Sequence, residues 1–239
     1  KGFEDYNEKN NLLIYIGSGN VSFSIISQGI NIYNTSIEIG SLVLSDVSNK
    51  LNLSDKKRSI VIDEYIKRYL SGIFKNIADI NIERIIISGK FFDVYLEQLL
   101  NRKNIDYLET ISSKTLMEYY DKIKMKSIEE IAKNYKIKKN EAELTIQKIN
   151  IVKNIIDKFG NDELVFANFK LSNAIAENYF FKNEKIQKKI EKESIETAKN
   201  IAKRYYYVEE HVGKMEEFIE KIFNKVHKTH GLTKRDRYY

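Results

Sequence analysis

The sequence contains no cysteine and no proline among its 239 residues. Without cysteine the chain can form no disulfide, bind no metal through thiolates and use no cysteine nucleophile. Average usage would give roughly a dozen prolines in a chain of this length. Isoleucine, lysine and asparagine are abundant instead, so we interpret the absence of proline as a bias of the whole composition.

Long apolar runs are also missing. No run approaches the roughly 18 to 20 residues that a transmembrane helix needs, and no signal peptide is recognisable. We therefore expect a cytoplasmic, soluble protein with no membrane partner. Hydrophobic residues make up 42% of the chain, enough for a packed core, and the length allows one large domain or two ordinary ones. A start at Lys1 instead of methionine suggests that the sequence begins inside a longer protein.

The formal net charge is +6 at pH 7. Such an excess would suit a polyanionic partner: nucleic acid, polyphosphate or a nucleotide. The 40 basic residues are interspersed with 34 acidic ones, however, which is typical of solvated helix faces. A nucleic-acid binder would instead show a basic stripe and steep salt dependence. We therefore regard nucleic acid as the least favoured of these partners.

The stretch from Leu12 to Gly40 has the pattern of three strands separated by glycine turns. An apolar run ends at Ile16, and apolar residues then alternate with polar ones, the period-2 signature of strands, as far as Ile39. The first turn, Gly17 to Asn20, has the sequence G-S-G-N. A Gly-x-Gly turn can surround a phosphate oxygen with backbone amides, although glycine-rich hairpins without a ligand are also common. We predict three antiparallel strands and keep both interpretations of the turn.

A long helix and a buried strand are predicted next. Apolar residues recur at helical spacing from Ile62 to Ile77, and Ser54 is placed to cap this helix, which should lie against the sheet. The run R-I-I-I then leads to Ser88-Gly89 and predicts a buried strand, with a helix from Phe91 to Leu100. In open α/β folds, anions bind where a strand meets a glycine and a helix N-terminus.

The rest of the chain is predicted to be mainly helical. Ser127 to Glu130 and Asn140 to Glu143 both have the spacing of a capping box, and Gly160 should end the second of these helices. A short extended segment is expected from Glu163 to Phe169.

Further helices are expected at Leu171 to Tyr179, from Asn183 to about Tyr205, and around His211 to Val226. Sheet-bearing sequence gives way to helices alone at Phe180 to Glu184. We therefore divide the chain into an α/β domain, residues 1–179, and a helical domain, residues 183–239.

Several segments match the motifs of one family in order and spacing. Tyr15 to Ser22 (Y-I-G-S-G-N-V-S) lies where that family has D-I-G-G-G-S-T-E. Ile37 to Leu44 (I-E-I-G-S-L-V-L) lies where it has L-P-L-G-A-V-R-L, and Ile87 to Phe91 (I-S-G-K-F) where it has G-T-G-G-T. By these matches the sequence resembles the exopolyphosphatase and guanosine pentaphosphate phosphatase family (Ppx/GppA), a branch of the actin-like phosphotransferase superfamily.

The resemblance continues downstream. Ser127 to Ile131 is similar to the family's S-x-E-E-R, Glu141 to Glu143 to its R-A-D, and Ala167 to Ala174 to its S-D-x-G-L-R-E-G. Tyr207 to Val212 and His227 to Leu232 resemble the start of its HD-type domain. The resemblance therefore implies an α/β fold: a ribonuclease-H-like (actin-like) second lobe with a mixed sheet, followed by the truncated beginning of an all-α HD-like domain.

The resemblance also implies a function. Family members are phosphohydrolases that cleave terminal phosphoanhydrides of polyphosphate or of guanosine pentaphosphate, with Mg²⁺, in a cleft between two lobes. The implied partners are polyphosphate or guanosine penta- or tetraphosphate, and a homodimer is implied as well. It assigns no catalytic residue and no metal ligand to this chain. The phosphate contacts that it implies would come from Gly17, Ser18, Gly19, Asn20, Ser88, Gly89 and Lys90.

Departures from the family motifs weaken this chemistry. The family's lobe-opening aspartate is Tyr15, which is uncharged at neutral pH, and its late Arg and Glu are Ser172 and Asn173. Lys90 replaces a loop glycine and offers a point charge. The first lobe and the general base would lie upstream of Lys1. Because phosphoryl transfer depends on positioning and charge neutralisation, we expect this chain alone to be inactive. The alternative is a non-catalytic regulator or scaffold that binds polyphosphate or an alarmone.

Histidines and acidic pairs are weaker candidates. His227 and His230 are spaced i, i+3, which could support two ligands of one metal, and His211 is the third histidine, but a metal site needs more ligands. Glu129-Glu130 and Glu209-Glu210 could suggest acid/base work. Both pairs stand at predicted helix starts, where acids complement the helix dipole, so a structural interpretation is favoured.

Overall fold

The structure is a computed structural model. It describes residues 8–51, 55–89, 92–101, 103, 105–124, 126–168, 175–176, 193–195, 197–199, 201–202, 205–233 and 236. The strands are β1 (Asn11–Ile16), β2 (Val21–Ser27), β3 (Ile30–Ile37), β4 (Arg84–Ser88), β5 (Leu108–Ser112) and β6 (Glu163–Ala167). The helices are α1 (Ser41–Lys50), α2 (Asp55–Asn76), α3 (Phe92–Leu99), α4 (Ser113–Ile123), α5 (Ile128–Tyr135), α6 (Lys139–Phe159), α7 (Glu209–Lys225) and α8 (His227–His230).

The strands form one mixed sheet in the order β3-β2-β1-β4-β6-β5. The three antiparallel strands predicted at the start of the chain are confirmed as β1, β2 and β3. β1, β4 and β6 run parallel to one another, and β5 runs antiparallel to β6. The carboxyl ends of β1, β4 and β6 therefore meet at one edge of the sheet.

One face of the sheet and six helices share the main core. Alternate residues of the central strands, such as Ile14 and Phe23, are fully buried there together with Ile66 and Leu70 of α2. The prediction that the long helix lies against the sheet is thereby confirmed. The opposite face carries a smaller apolar cluster that includes Ile86 and neighbouring strand residues.

The third strand is shorter than predicted, and α1 was not predicted at all. β3 ends at Ile37, and Ile39 is fully buried in the short connection before α1. The alternation of apolar and polar residues does not distinguish the end of a strand from an extended connection. On α1 three of the four buried residues are serines, Ser41, Ser45 and Ser48, so the helix buries a face that apolar periodicity cannot reveal. Strand β5 was not predicted either.

The predicted capping box at Asn140 is wrong. Helix α6 begins two residues earlier, with Lys138 as its N-cap, and the Glu141 carboxylate accepts a hydrogen bond from the Lys138 amide at 3.0 Å. Glu143 instead accepts a hydrogen bond from the Ser45 hydroxyl and so ties α6 to α1. Glu141 and Glu143 differ in their tertiary contacts, and sequence spacing does not show such contacts.

The caps predicted at Ser127 and Gly160 are confirmed. The Ser127 hydroxyl accepts from the Glu130 amide at 3.2 Å, and the Glu130 carboxylate accepts from the Ser127 amide at 2.7 Å. Hydrogen bonding to the Ser127 backbone and side chain lowers the pKa of Glu130. Glu129 pairs with Lys139 at 2.6 Å, and Gly160 ends α6 in the left-handed conformation. Both acids at the start of α5 therefore have structural partners.

The C-terminal part is described only in pieces. Helix α7 confirms the predicted last helix, although none of its residues is buried; Phe218 is 60% exposed and Ile222 61%. Most of the two preceding predicted helices, the Ser54 cap and the boundary at 180–184 lie outside the described residues. The HD-like domain and the two-domain division therefore stay predictions. Among the described helices, none combines the length with the apolar character that crossing a bilayer requires.

Asp63 links α2 to α6 through a small charged network. Its carboxylate accepts hydrogen bonds from Lys153 and Asn154, both at 3.0 Å, and pairs with Lys67 at 2.7 Å. Burial alone would raise the pKa of Asp63, but the hydrogen bonds from these three donors outweigh burial and hold the pKa below its usual value. The ionised carboxylate therefore stabilises the folded state.

We expect Asp63→Asn to lower the free energy of unfolding at pH 7 by about 1 kcal/mol, since the network is only partly buried and is screened by solvent. A carboxylate whose folded pKa is depressed contributes stability above its unfolded pKa and loses it as the pH falls through the folded value. The difference from the wild type should therefore shrink below about pH 4. Urea unfolding across pH measures it, with the exposed Asp79→Asn as the control. A difference that does not change with pH would contradict this assignment.

Candidate anion-binding site

The turn between β1 and β2 is the centre of the candidate site. The Gly17 amide donates to the Asn20 carbonyl at 2.9 Å, which closes the turn directly beyond the last strand pair. Ser18, Gly19 and Asn20 are exposed. The turn therefore presents its backbone to solvent at the carboxyl edge of the sheet.

The start of α1 is fastened to this turn. Three successive amides donate to three carbonyls: Gly40 N to Gly19 O at 3.2 Å, Ser41 N to Gly17 O at 3.0 Å and Leu42 N to Ser18 O at 2.9 Å. These bonds hold the turn in one shape. They also occupy the Ser41 and Leu42 amides, the first two of α1, so this helix N-terminus has part of its donors satisfied by the protein itself.

Two glycines allow backbones to approach closely here. A Cβ atom added at Gly40 would lie 2.3 Å from the Ser18 carbonyl oxygen and 2.5 Å from the Asn20 amide nitrogen. A Cβ atom added at Gly89 would lie 2.5 Å from the Ile16 carbonyl oxygen. The bend after β4 therefore packs directly against the end of β1.

Of the seven residues predicted to contact phosphate, six lie together at this edge. Gly17 to Asn20 form the turn, and Ser88 and Gly89 form the adjacent bend. Lys90 lies outside the described residues. The structure thus brings the two glycine bends side by side; whether they bind phosphate stays a prediction.

Some hydrogen-bond donors of the site have no partner among the described residues. Within the described part of the chain, the amides of Ser18, Gly19 and Asn20 donate no hydrogen bond, and the Ser88 hydroxyl is buried without a partner. The Asn20 side chain, in contrast, donates to the Ser36 hydroxyl at 2.8 Å and serves the hairpin. These unpartnered amides and the Ser88 hydroxyl are donors that an anion could use.

Comparisons with known proteins give matches in structure only. No family model and no curated protein matches the sequence. An exopolyphosphatase from Cytophaga hutchinsonii ATCC 33406 superposes with a TM-score of 0.64 at 16% sequence identity, over 73% of this chain and 58% of that one. A Ppx/GppA phosphatase from Aquifex aeolicus gives a TM-score of 0.61 at 15% identity, over 70% and 56%. This chain has the fold of the Ppx/GppA phosphatases.

The predicted resemblance and the predicted fold class, a mixed α/β sheet with helices, are confirmed at the level of the fold. The chain spans little more than half the length of the two Ppx/GppA structures, 56% and 58%. The activity of a whole Ppx/GppA phosphatase is therefore not carried over by the fold alone.

Tyr15 stands where the Ppx/GppA motif has its aspartate. It pairs with Ser88 in the parallel register of β1 and β4, so both side chains lie on the same face of the sheet. Tyr15 is 49% exposed, and its ring carbon Cε1 would lie 3.3 Å from a Cβ atom on Gly17. The ring therefore packs against the turn, and its hydroxyl brings no negative charge for a metal or an attacking water.

The residues at this edge do not fit a Mg²⁺ ion held by the chain. Mg²⁺ prefers carboxylate oxygens and octahedral geometry. An open pocket of about 540 Å³ beside the turn has Glu38 as its single acidic lining residue. No group of three or more potential ligands among His, Asp and Glu occurs within the described residues. The negative charge of Glu38 would also repel an anion bound in this pocket.

Lys148 is a candidate that motif matching missed. It is only 3% exposed, and its Nζ lies 5.7 Å from the centroid of the Phe92 ring. Phe92 Cε2 would in turn lie 3.0 Å from a Cβ atom on Gly89, so a positive charge is buried behind the bend. The signal was available in the sequence: Lys148 is four residues after Leu144 and four before Val152, on the apolar stripe of α6.

His230 and Glu210, two of the weaker candidates, have structural partners. His230 Nε2 donates to the Phe223 carbonyl at 3.0 Å, and its Nδ1 accepts from the Leu232 amide at 2.9 Å, so both ring nitrogens are engaged in ending the last helices. Glu210 pairs with Lys214 at 2.8 Å on α7.

Proposed function

We propose that this chain is a divergent relative of the Ppx/GppA phosphohydrolases and forms one half of a cleft for polyphosphate or for guanosine penta- or tetraphosphate. The observation that carries this proposal is the contact between the bends at Gly17 and Gly89, with unpartnered backbone amides on the rim. Backbone amides of this kind form anion-binding concavities. Hydrolysis of a terminal phosphoanhydride would take place in a parent protein that supplies the other half.

The chain by itself should hydrolyse neither substrate. Phosphoryl transfer requires neutralisation of the transferred group and a residue that orients water. Tyr15 offers no carboxylate, and Glu38 adds negative charge beside the turn. Binding without turnover is the expected behaviour. Cytoplasmic location and a homodimer remain predictions.

A non-catalytic regulator or scaffold is the second candidate. It is favoured by the position of Tyr15, whose ring packs against the turn where the family has a carboxylate. In this candidate the chain still forms an anion-binding half-site. The parent protein, like the chain alone, hydrolyses no phosphoanhydride. The two candidates differ only in whether a longer protein that contains this chain releases phosphate.

The 239-residue chain should be incubated with polyphosphate or guanosine pentaphosphate and Mg²⁺, with release of phosphate as the readout, while calorimetry measures the binding of tripolyphosphate. We expect binding without release. Release of phosphate would show that the chain is active by itself. The absence of tripolyphosphate binding at about 10 mM would show that the chain does not form an anion-binding half-site. The same release assay on a longer protein then separates the enzyme from the regulator.

Removing the acid beside the turn should strengthen anion binding. Glu38→Gln takes away one repelling charge from the pocket that Gly19 and Asn20 line, and we expect tripolyphosphate to bind about threefold to tenfold more tightly. Glu118→Gln makes the same change of net charge on the exposed surface of α4. Equal effects of the two variants would show that only net charge matters and that the turn is not the site.

A further inference from the structure

A second pocket lies within the helical layer, away from the glycine turn. It has a volume of about 150 Å³ and is lined by residues of α1, α2, α4, α5 and α6 and of the connection from α4 to α5. Part of its wall is apolar, formed by Ile62, Ile123 and Ile146. None of the residues of the candidate anion-binding site lines it.

Basic side chains dominate the charged part of the wall. Arg58, Lys124 and Lys126 line the pocket against a single carboxylate, Glu143. Lys124 pairs with Asp121 at 2.5 Å, whereas Lys126 makes no ion pair with any described residue. The pocket therefore combines an apolar wall with a surplus of positive charge.

The side-chain amide of Gln147 in the wall has a free donor. Gln147 is only 5% exposed, and its Oε1 accepts a hydrogen bond from Asn150 Nδ2 at 3.2 Å. Its Nε2 donates to no group within the described part of the chain. This unused donor stands in the wall of a cavity that is also lined by basic groups.

We propose that this pocket binds a small organic anion. One carboxylate or phosphate group would be held by Lys126 and the Gln147 amide, and an apolar body would lie against the isoleucine wall. A cavity of about 150 Å³ is known to accommodate benzene, so the apolar body has the size of one aromatic ring or a short alkyl chain. This site is independent of the proposed half-cleft for polyphosphate.

Benzoate and benzamide provide a matched pair of probes, since they share the ring and differ in charge. We expect calorimetry or ligand-observed NMR on the 239-residue chain to show benzoate binding at least about tenfold more tightly than benzamide. Phenyl phosphate shows whether the pocket prefers a phosphate or a carboxylate. Equal affinity for benzoate and benzamide, or no binding of benzoate or phenyl phosphate at about 10 mM, would overturn the proposal.

Two variants locate the binding. Lys126→Met should weaken benzoate binding about fivefold to tenfold and leave benzamide unchanged, because one charge-assisted hydrogen bond is lost. Lys122→Met, on the exposed surface of α4, is the matched control and should change neither. Ile146→Phe should fill the pocket and abolish the binding of both probes, with circular dichroism to verify the fold. Equal effects of the two lysine variants, or benzoate binding that survives Ile146→Phe in a folded protein, would place the anion elsewhere.

Discussion

Replacing Gly40 with alanine should lower the free energy of unfolding by about 3 kcal/mol. The added methyl group would lie 2.3 Å from the Ser18 carbonyl oxygen and 2.5 Å from the Asn20 amide nitrogen. Both are backbone atoms of a turn that α1 holds by hydrogen bonds, so no side chain can rotate away to make room. The turn and the helix start must instead separate, which weakens the amide-to-carbonyl bonds between them.

Gly19→Ala is the matched control for this substitution. A Cβ atom at Gly19 meets nothing within 4 Å, and the expected change is within about 0.5 kcal/mol. Urea unfolding of the two variants gives the comparison directly. Similar stabilities for Gly40→Ala and the wild type would mean that α1 does not pack on the turn as described, and the candidate site would lose its rigid frame.

Removing the amide at Gly19 should weaken tripolyphosphate binding about tenfold. Gly19→Pro replaces the N–H with a ring carbon, whereas Gly19→Ala keeps the N–H and fits the open space around the turn. Proline keeps the carbonyl that accepts from Gly40, so the bond to α1 is preserved. The difference between the two variants therefore reports on the donor and not on the side chain.

Calorimetric titration of the proline and alanine variants with tripolyphosphate tests this expectation, and thermal melts check that both are folded. If Gly19→Pro unfolds the hairpin, Glu38→Gln still tests the site by changing affinity in the opposite direction. Equal affinities of the folded proline and alanine variants would remove the turn amides from the account of binding.

Much of the sheet could be predicted because its pattern is local. Alternation and a glycine turn identify β1 and β2, and a β-branched run before a glycine identifies β4. Helix α1 could not be predicted in this way, since it buries Ser41, Ser45 and Ser48 in place of apolar residues. The start of α6 was misplaced because Glu141 and Glu143 have the same local spacing to a polar residue and differ only in their tertiary contacts.

The candidate site was predictable only in outline. Motif spacing placed Gly17 and Gly89 at the ends of strands, and parallel pairing of β1 with β4 brings them together. The bonds from α1 into the turn follow from tertiary packing, which spacing does not encode. The second pocket was invisible in the sequence, because its wall comes from helices separated by many residues, with Arg58 and Gln147 on different ones.

Above all, we propose that the turn beside Gly89 binds a phosphate chain. The most direct test is an amide NMR titration of ¹⁵N-labelled protein with tripolyphosphate. We expect the amide signals of Ser18 and Gly19 to move most and those of Ser88 and Gly89 to move less. Shifts that spare these four residues and appear around Lys126 or along the lysine-rich helices would contradict it.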